Sequence, residues 1–113
     1  MSVRDWSESI VLVDLQDDPQ FGDDLNAAQD LIRKRNGSDL VLDMSGVNYL
    51  NSSNIARLLK IRKLLQTDAP GRMKLCGMNT SVWGVFLVTG LDKIFDFCDD
   101  VPSGLASLQM EPR

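Results

Sequence analysis

The stretch LVLDMSGVNYLNSSNIARLLKIRKLL, residues 40–65, decides the fold that this sequence predicts. It starts within an apolar strand over residues 39–44, whose composition suits a position that is buried on both faces. Residues 45–48 contain serine, glycine and asparagine, which favour a turn. Residues 52–66 then place apolar side chains at helical spacing, with basic residues on the opposite side. A buried strand that leads into an amphipathic helix indicates a layered α/β fold.

The same alternation continues on both sides of this stretch. Residues 16–22 contain proline, glycine and aspartate and predict a loop. Apolar runs predict strands over residues 10–15, 73–77 and 94–97, and a weaker pattern predicts a short strand within residues 2–9. Helical spacing and capping residues predict helices over residues 23–35, about 79–90, and from Pro102 onward. Strands that alternate with helices predict a mostly parallel sheet beyond an N-terminal hairpin.

Length and composition fit one globular domain over residues 1–113. The chain has 43% hydrophobic and 25% charged residues, which is ordinary for a globular protein, and its length allows one core. None of its apolar runs approaches the ~20 residues of a membrane-spanning helix. Its first residues lack the basic flank and the apolar stretch of a secretory signal. We therefore expect a cytoplasmic protein without membrane insertion.

The charged residues are unevenly distributed along the chain. Residues 5–30 hold eight acidic residues and no basic one, whereas residues 52–74 hold six basic residues and one acidic one. This division indicates one acidic and one basic face that orient a protein partner; the alternative is that both runs are only solvated surface. The net charge of −4 argues against nucleic-acid binding, which needs a basic surface.

The residues of common catalytic and metal sites are missing from the sequence. The chain has no histidine, and its two cysteines, Cys76 and Cys98, form no CxxC motif. We expect both thiols to be buried and inert. No glycine-rich phosphate loop occurs, and the adjacent carboxylates at residues 17–18 and 23–24 have no obvious partner. The sequence therefore predicts no enzymatic activity, no catalytic residue, no cofactor and no metal site.

Residues 40–65 and a second segment, MKLCGMNTSVWGVFLVTGLDKIFDF at residues 73–97, resemble the STAS family, which is named for sulfate transporters and anti-sigma factor antagonists. The first segment carries the strand, the serine-containing turn and the helix of that family. The second carries its closing strand, helix, Thr-Gly-Leu motif and final strand. The resemblance implies a single STAS-like α/β domain, with a mixed, mostly parallel central sheet of four to five strands and about four helices.

Within the family, the chain resembles the anti-sigma factor antagonists, in which the turn reads Asp-Ser-Ser-Gly or Asp-Ser-Thr-Gly. The serine after the aspartate is phosphorylated by a partner kinase, and the phosphorylated form releases that partner. The resemblance implies phosphorylation at Ser52, with Ser53 as the second choice, and an anti-sigma factor or related serine kinase as partner, together with a phosphatase. The implied partner-binding residues are Tyr49, Asn51, Ser52, Ser53, Asn54 and Arg57.

Two residues of the turn depart from the family's motif. Asn51 stands where the family has aspartate, and Asn54 stands where it has glycine. We interpret both side chains as lying on the surface that a kinase would meet. The departures are consistent with a specialised kinase, or with partner binding that has outlasted phosphorylation.

Several other interpretations stay open at this point. A serine or asparagine at a helix start often acts only as an N-cap, and Asn51, Ser52 or Ser53 could fill that position. The chain could also be a non-phosphorylated STAS scaffold subunit of a signalling or lipid-transport assembly, or a small-ligand binder or hydrolase with a cleft near residues 44–54. Trp83 fits either the core or an interface, and the oligomeric state is left undetermined.

Overall fold

The computed structural model describes residues 3–110, in which strands and helices alternate along the chain. The strands are β1 (Val3–Asp5), β2 (Ile10–Gln16), β3 (Asp39–Gly46), β4 (Met73–Cys76) and β5 (Asp96–Cys98). The helices are α1 (Gln20–Lys34), α2 (Ser52–Thr67), α3 (Thr80–Thr89) and α4 (Val101–Met110), and a short 3-10 turn, Leu91–Lys93, precedes β5. The predicted α/β fold class is confirmed.

The five strands form one sheet in the order β1-β2-β3-β4-β5. Strand β1 is antiparallel to β2, and the remaining neighbours are parallel. A helix joins the two strands of each parallel pair. Because every connection leads to the next strand on the same side and such crossovers are right-handed, α1, α2 and α3 lie on one face of the sheet. The carboxyl ends of β2 to β5 consequently meet at one edge, where the next helices begin.

Alternating side chains of the central strands fill two separate cores. Val11 and Val13 of β2 point towards α1, α2 and α3, and they belong to the main cluster of buried residues. Ile10 and Leu12 point to the other face, where they pack with Val41 and with α4. Both faces of the sheet are therefore covered, as the continuous apolar runs of β2 and β3 predict.

Helix α3 is anchored to the sheet by aromatic rings. Phe86 packs edge-on against Phe95 and Phe97, with ring centroids 5.9 and 5.2 Å apart. Trp83 is half-buried and meets Phe97 at a centroid distance of 4.9 Å, so that it packs against the core. Gly90 ends the helix at φ +77°, a left-handed conformation that glycine adopts without steric cost.

Helix α1 begins earlier than predicted. The sequence suggests a start near residue 23 after a loop over residues 16–22, but the helix begins at Gln20, directly after Pro19. Phe21 is buried, and the burial of its ring fixes the first turn of the helix ahead of the acidic residues. The loop prediction is therefore wrong for residues 20–22 and for residue 16, which belongs to β2.

Two strand boundaries and one helix face also differ from the prediction. Strand β3 continues to Gly46, because its pairing with β2 extends that far. The last strand follows the 3-10 turn and so occupies Asp96–Cys98 rather than residues 94–97. On α2, Leu59 is 37% exposed although its spacing suggests the apolar side, and Leu64 is buried instead. Ser2, within the predicted first strand, lies outside the described residues.

Within residues 3–110, none of the helices combines the length and the apolar character that crossing a membrane requires.

Candidate functional site at the start of helix α2

The candidate site lies at the carboxyl edge of the sheet, where the chain leaves β2 and β3. Residues 17–19 connect β2 to α1, and residues 47–51 connect β3 to α2. Because β2 and β3 are parallel neighbours, these two connections lie side by side. The serines that the sequence singles out, Ser52 and Ser53, are the first two residues of α2 and are both exposed.

Asn51 and Asn54 form a reciprocal capping box around these serines. The Oδ1 atom of Asn51 accepts a hydrogen bond from the backbone N–H of Asn54 at 2.8 Å. The Oδ1 atom of Asn54 accepts one from the backbone N–H of Asn51 at 3.0 Å. Two backbone donors at the helix start are thereby satisfied. Of the three capping candidates in the sequence, Asn51 is the residue that caps α2.

The same two asparagines also hold the neighbouring loop through Asp18. Asn51 Nδ2 donates to Asp18 Oδ2 at 3.1 Å, and Asn54 Nδ2 lies 3.2 and 3.1 Å from the two carboxylate oxygens of Asp18. Hydrogen bonds to an ionised carboxylate are stronger than those between neutral groups. The start of α2 is therefore joined to the β2–α1 connection by charge-assisted bonds.

Asp17 makes a second connection between the two loops. Its carboxylate accepts hydrogen bonds from the backbone N–H and from the side-chain Nδ2 of Asn48, both at 2.8 Å. The Asn48 side chain, followed by its backbone, lowers the pKa of Asp17 below the usual value. We call Asp17, Asp18, Asn48, Asn51 and Asn54 the α2-start network.

This network corrects two sequence interpretations. The carboxylates at residues 17–18 do have partners, and both sets of partners lie about 30 residues further along the chain. Asn54 is 2% exposed, so the interpretation that its side chain lies on the outer surface is wrong. Its buried amide is occupied by Asp18 and by the capping box. The polar residues that follow the neighbouring strands β2 and β3 were the sequence signal for this network.

The exposed surface around the two serines carries an aromatic ring and basic groups. Tyr49 is 57% exposed just before the helix. Arg57 is half-buried; it donates to Asn26 Oδ1 at 3.3 Å, and its guanidinium lies over Gly22 of α1. Within residues 3–110, none of the four basic side chains of α2 forms an ion pair. Ser53, Arg57 and Lys60 line one shallow depression, so the two basic groups beside Ser53 can attract an acidic or phosphorylated group.

The hydrolase interpretation places a cleft near residues 44–54, but the cavity of greatest volume among those found lies elsewhere. A cavity of about 480 Å³ lies instead at the ends of β4 and β5, and its lining includes Trp83, Phe97 and Cys98. Among the described residues, no group of three or more acidic or thiol side chains is arranged to hold a metal ion.

The two cysteines are neighbours in the sheet. Cys76 of β4 and Cys98 of β5 stand opposite each other in register, and both are free thiols. Burial, followed by the neighbouring Cys98, raises the pKa of Cys76 to about 12, which keeps this thiol protonated. Cys76 is buried as expected, whereas Cys98 is only partly buried.

Comparisons with known proteins agree with the observed fold and also identify a protein family. The STAS domain family model matches residues 8–104 of the sequence. The structure is similar to the crystal structure of a protein from Thermotoga maritima proposed to be an anti-sigma factor antagonist, with a TM-score of 0.79, 18% identity, and 95% of this chain and 92% of that chain covered.

A second solved structure gives the same result. It is an anti-sigma-factor antagonist (STAS) domain protein from Planctomyces limnophilus, with a TM-score of 0.77, 17% identity, and 93% of this chain and 94% of that chain covered. At such identities the likeness concerns the fold alone. Among curated proteins, no sequence matches this chain significantly.

Proposed function

This chain belongs to the STAS domain family, and we propose that it acts as a protein-binding switch of the anti-sigma factor antagonist kind. Its partner would be an anti-sigma factor or a related serine kinase. Phosphorylation of Ser52 would release that partner, and a phosphatase would restore binding. The observation that carries this proposal is the exposed pair of serine hydroxyls at the start of α2, on a helix end that the α2-start network holds in place.

The surroundings of Ser52 suit a partner-binding surface. Tyr49 offers an exposed ring on one side, and Arg57 offers a cation that is already held in position by Asn26. Tyrosine and arginine are the residue types that contribute most to binding energy at interfaces. Asn54 supports this surface from below, and the exposed Asn51 caps the helix beside the serines. Both asparagines fix the helix start, so their contribution is one of positioning.

A phosphate on Ser52 would change this surface without unfolding the domain. It adds a charge of about −1.5 to −2 at neutral pH. The helix dipole and the unpaired amides of the first turn stabilise such a charge at a helix start. A partner packed over Ser52 would lose contact through bulk and charge, while the fold beneath stays intact.

The phosphorylated position can be tested with the protein taken from its native cells. We expect tandem mass spectrometry to find one phosphate on Ser52, and we expect Ser52→Ala to abolish it. The matched control is Thr80→Ala, because Thr80 is the exposed first residue of α3 as Ser52 is of α2. Phosphate on Thr80 or on another residue, with none on Ser52, would contradict the switch.

A second candidate function is a constitutive STAS scaffold without phosphorylation. This function is favoured by the carboxylate of Asp18, which accepts hydrogen bonds from the asparagines on either side of the two serines. A phosphate on Ser52 would lie near this negative charge and be repelled by it. In that case the protein keeps its partners when Ser52 is replaced by alanine, and it carries no phosphate in native cells. Ser52→Asp would still weaken docking if the helix start is the interface.

A further inference from the structure

Helix α3 exposes an uncharged apolar surface. Its ten residues, Thr80–Thr89, include no charged side chain. Only Val82 and Phe86 are buried against the sheet, whereas Leu87 is 50% and Val88 is 89% exposed. A helix that is apolar on all sides is normally covered on all sides. The outer face of α3 therefore has the composition of an interface.

The shape of this surface suits the close approach of another helix. Ser81, Gly84, Val85 and Val88 follow the spacing of one helix face, and with Thr89 they line a shallow cavity of about 360 Å³. At Gly84, a Cβ atom would meet nothing within 4 Å, so the backbone is bare there. A neighbouring side chain can enter this depression without displacing any part of the domain.

The other helices do not share this combination. Helices α1 and α2 carry charged residues on their outer faces. Helix α4 also lacks charge, but its outward positions hold mainly small or polar residues such as Ser103, Ala106 and Gln109, and its one exposed large apolar side chain is Met110 in the last turn. Of the two uncharged helices within residues 3–110, α3 is thus the one that exposes more than one large apolar side chain.

We propose that the outer face of α3 is a self-association surface, on which a second copy of this chain packs its own α3. In a two-fold contact the same surface meets itself, so any charged residue would face its own like charge. A charge-free face avoids this repulsion, and among the helices of residues 3–110 the face that matches it best in charge and apolar character is α3 itself.

The proposed contact leaves the candidate functional site open. Helices α2 and α3 run opposite to the parallel strands, so both begin at the carboxyl edge of the sheet and end at the amino edge. Leu87 and Val88 lie in the last turn of α3, whereas Ser52 lies in the first turn of α2. A dimer could therefore hold two partners at once. A contact based on one short helix is small, so we expect a reversible dimer.

Sedimentation velocity of the purified protein tests this proposal. We expect the monomer mass of 12.6 kDa at about 10 μM and a shift towards twice that mass at about 1 mM, in the range of weak transient contacts. Because the contact is apolar, raising the salt concentration should not weaken it. A protein that stays monomeric at the highest concentration overturns the proposal and leaves α3 to a different protein.

Two lysine variants show whether α3 is the contact. Val88→Lys places a charge in the proposed interface and should abolish the concentration-dependent mass increase. Leu59→Lys introduces the same change at an exposed leucine of α2 and should leave it unaltered. Because both positions are exposed, we expect both variants to fold, and thermal melting serves as the control for folding. If Val88→Lys associates as strongly as Leu59→Lys, the assignment to α3 is wrong.

Discussion

The starts of α2 and α3 are built on the same plan, yet only one carries a polar network. Each helix is capped by an asparagine whose Oδ1 accepts the third backbone N–H of the helix at 2.8 Å, Asn51 for α2 and Asn79 for α3. Each places two exposed hydroxyl residues directly after the cap. A capped helix start with free hydroxyl groups is therefore not in itself the mark of a functional site.

The difference lies in what each cap holds. Asn51 Nδ2 donates to the carboxylate of Asp18, whereas Asn79 Nδ2 donates to the neutral backbone oxygen of Val47, both at 3.1 Å. The third helix residue is the buried polar Asn54 in α2 and the buried apolar Val82 in α3. The start of α2 is thus stabilised by charge-assisted hydrogen bonds, and that of α3 by apolar packing.

The largest effect should follow from removing Asn54. Asn54→Ala removes a buried side chain that accepts from the backbone N–H of Asn51 and donates to the carboxylate of Asp18, which should lower the free energy of unfolding by about 2–3 kcal/mol. Asn79→Ala removes a cap and one hydrogen bond to a neutral carbonyl, and should cost about 1 kcal/mol. Urea unfolding measures both values. If the two variants lose equal stability, the network adds nothing beyond capping.

The same comparison explains which features the sequence could predict. Strands and helices follow from local spacing, because apolar periodicity is set by residues near one another in the chain, and the choice of Ser52 follows from the resemblance to the family's motif. The bonds from Asp18 to Asn51 and Asn54 join residues 33 and 36 positions apart, and they depend on two loops meeting at one sheet edge. The burial of Phe21 also depends on the assembled core, and it explains why α1 begins at Gln20 rather than near residue 23.

A smaller effect should follow from restoring the family's aspartate at position 51. Asn51→Asp keeps an acceptor for capping but removes the Nδ2 donor and sets a second carboxylate beside Asp18. Because positions 18 and 51 are both exposed, the like charges and the lost donor should lower the free energy of unfolding by only about 0.5–1 kcal/mol. Asn79→Asp, which meets a neutral carbonyl, should lose less.

A double variant gives the decisive control for this prediction. Asp18→Asn combined with Asn51→Asp exchanges donor and acceptor, and it should recover most of the stability lost by Asn51→Asp alone. A double-mutant cycle with no coupling between the two positions would show that repulsion from Asp18 is not the reason why this chain has asparagine at position 51.

The smallest expected effect concerns pH and the second bond of the network. Asn48 lowers the pKa of Asp17 from its usual 3.8, so the unfolded chain binds a proton at a higher pH than the folded one. The stability that this carboxylate contributes is therefore present above pH 3.8 and is lost as the pH falls through the lower pKa of the folded state. Solvent screening at this partly exposed position keeps the contribution small.

Paired unfolding curves can isolate this contribution. Between about pH 6 and pH 3, the difference in stability between the wild type and Asp17→Asn should shrink. Asn48→Ala removes the side-chain donor but keeps the backbone N–H that donates to Asp17, so it should reduce the pH dependence of stability only in part. Adding it to Asp17→Asn should leave the pH dependence unchanged, because the titrating carboxylate is already absent. If the difference in stability between the wild type and Asp17→Asn does not change with pH, Asp17 does not stabilise this edge through its charge. The start of α2 would then differ from that of α3 only in the carboxylate of Asp18, which accepts hydrogen bonds from Asn51 and Asn54.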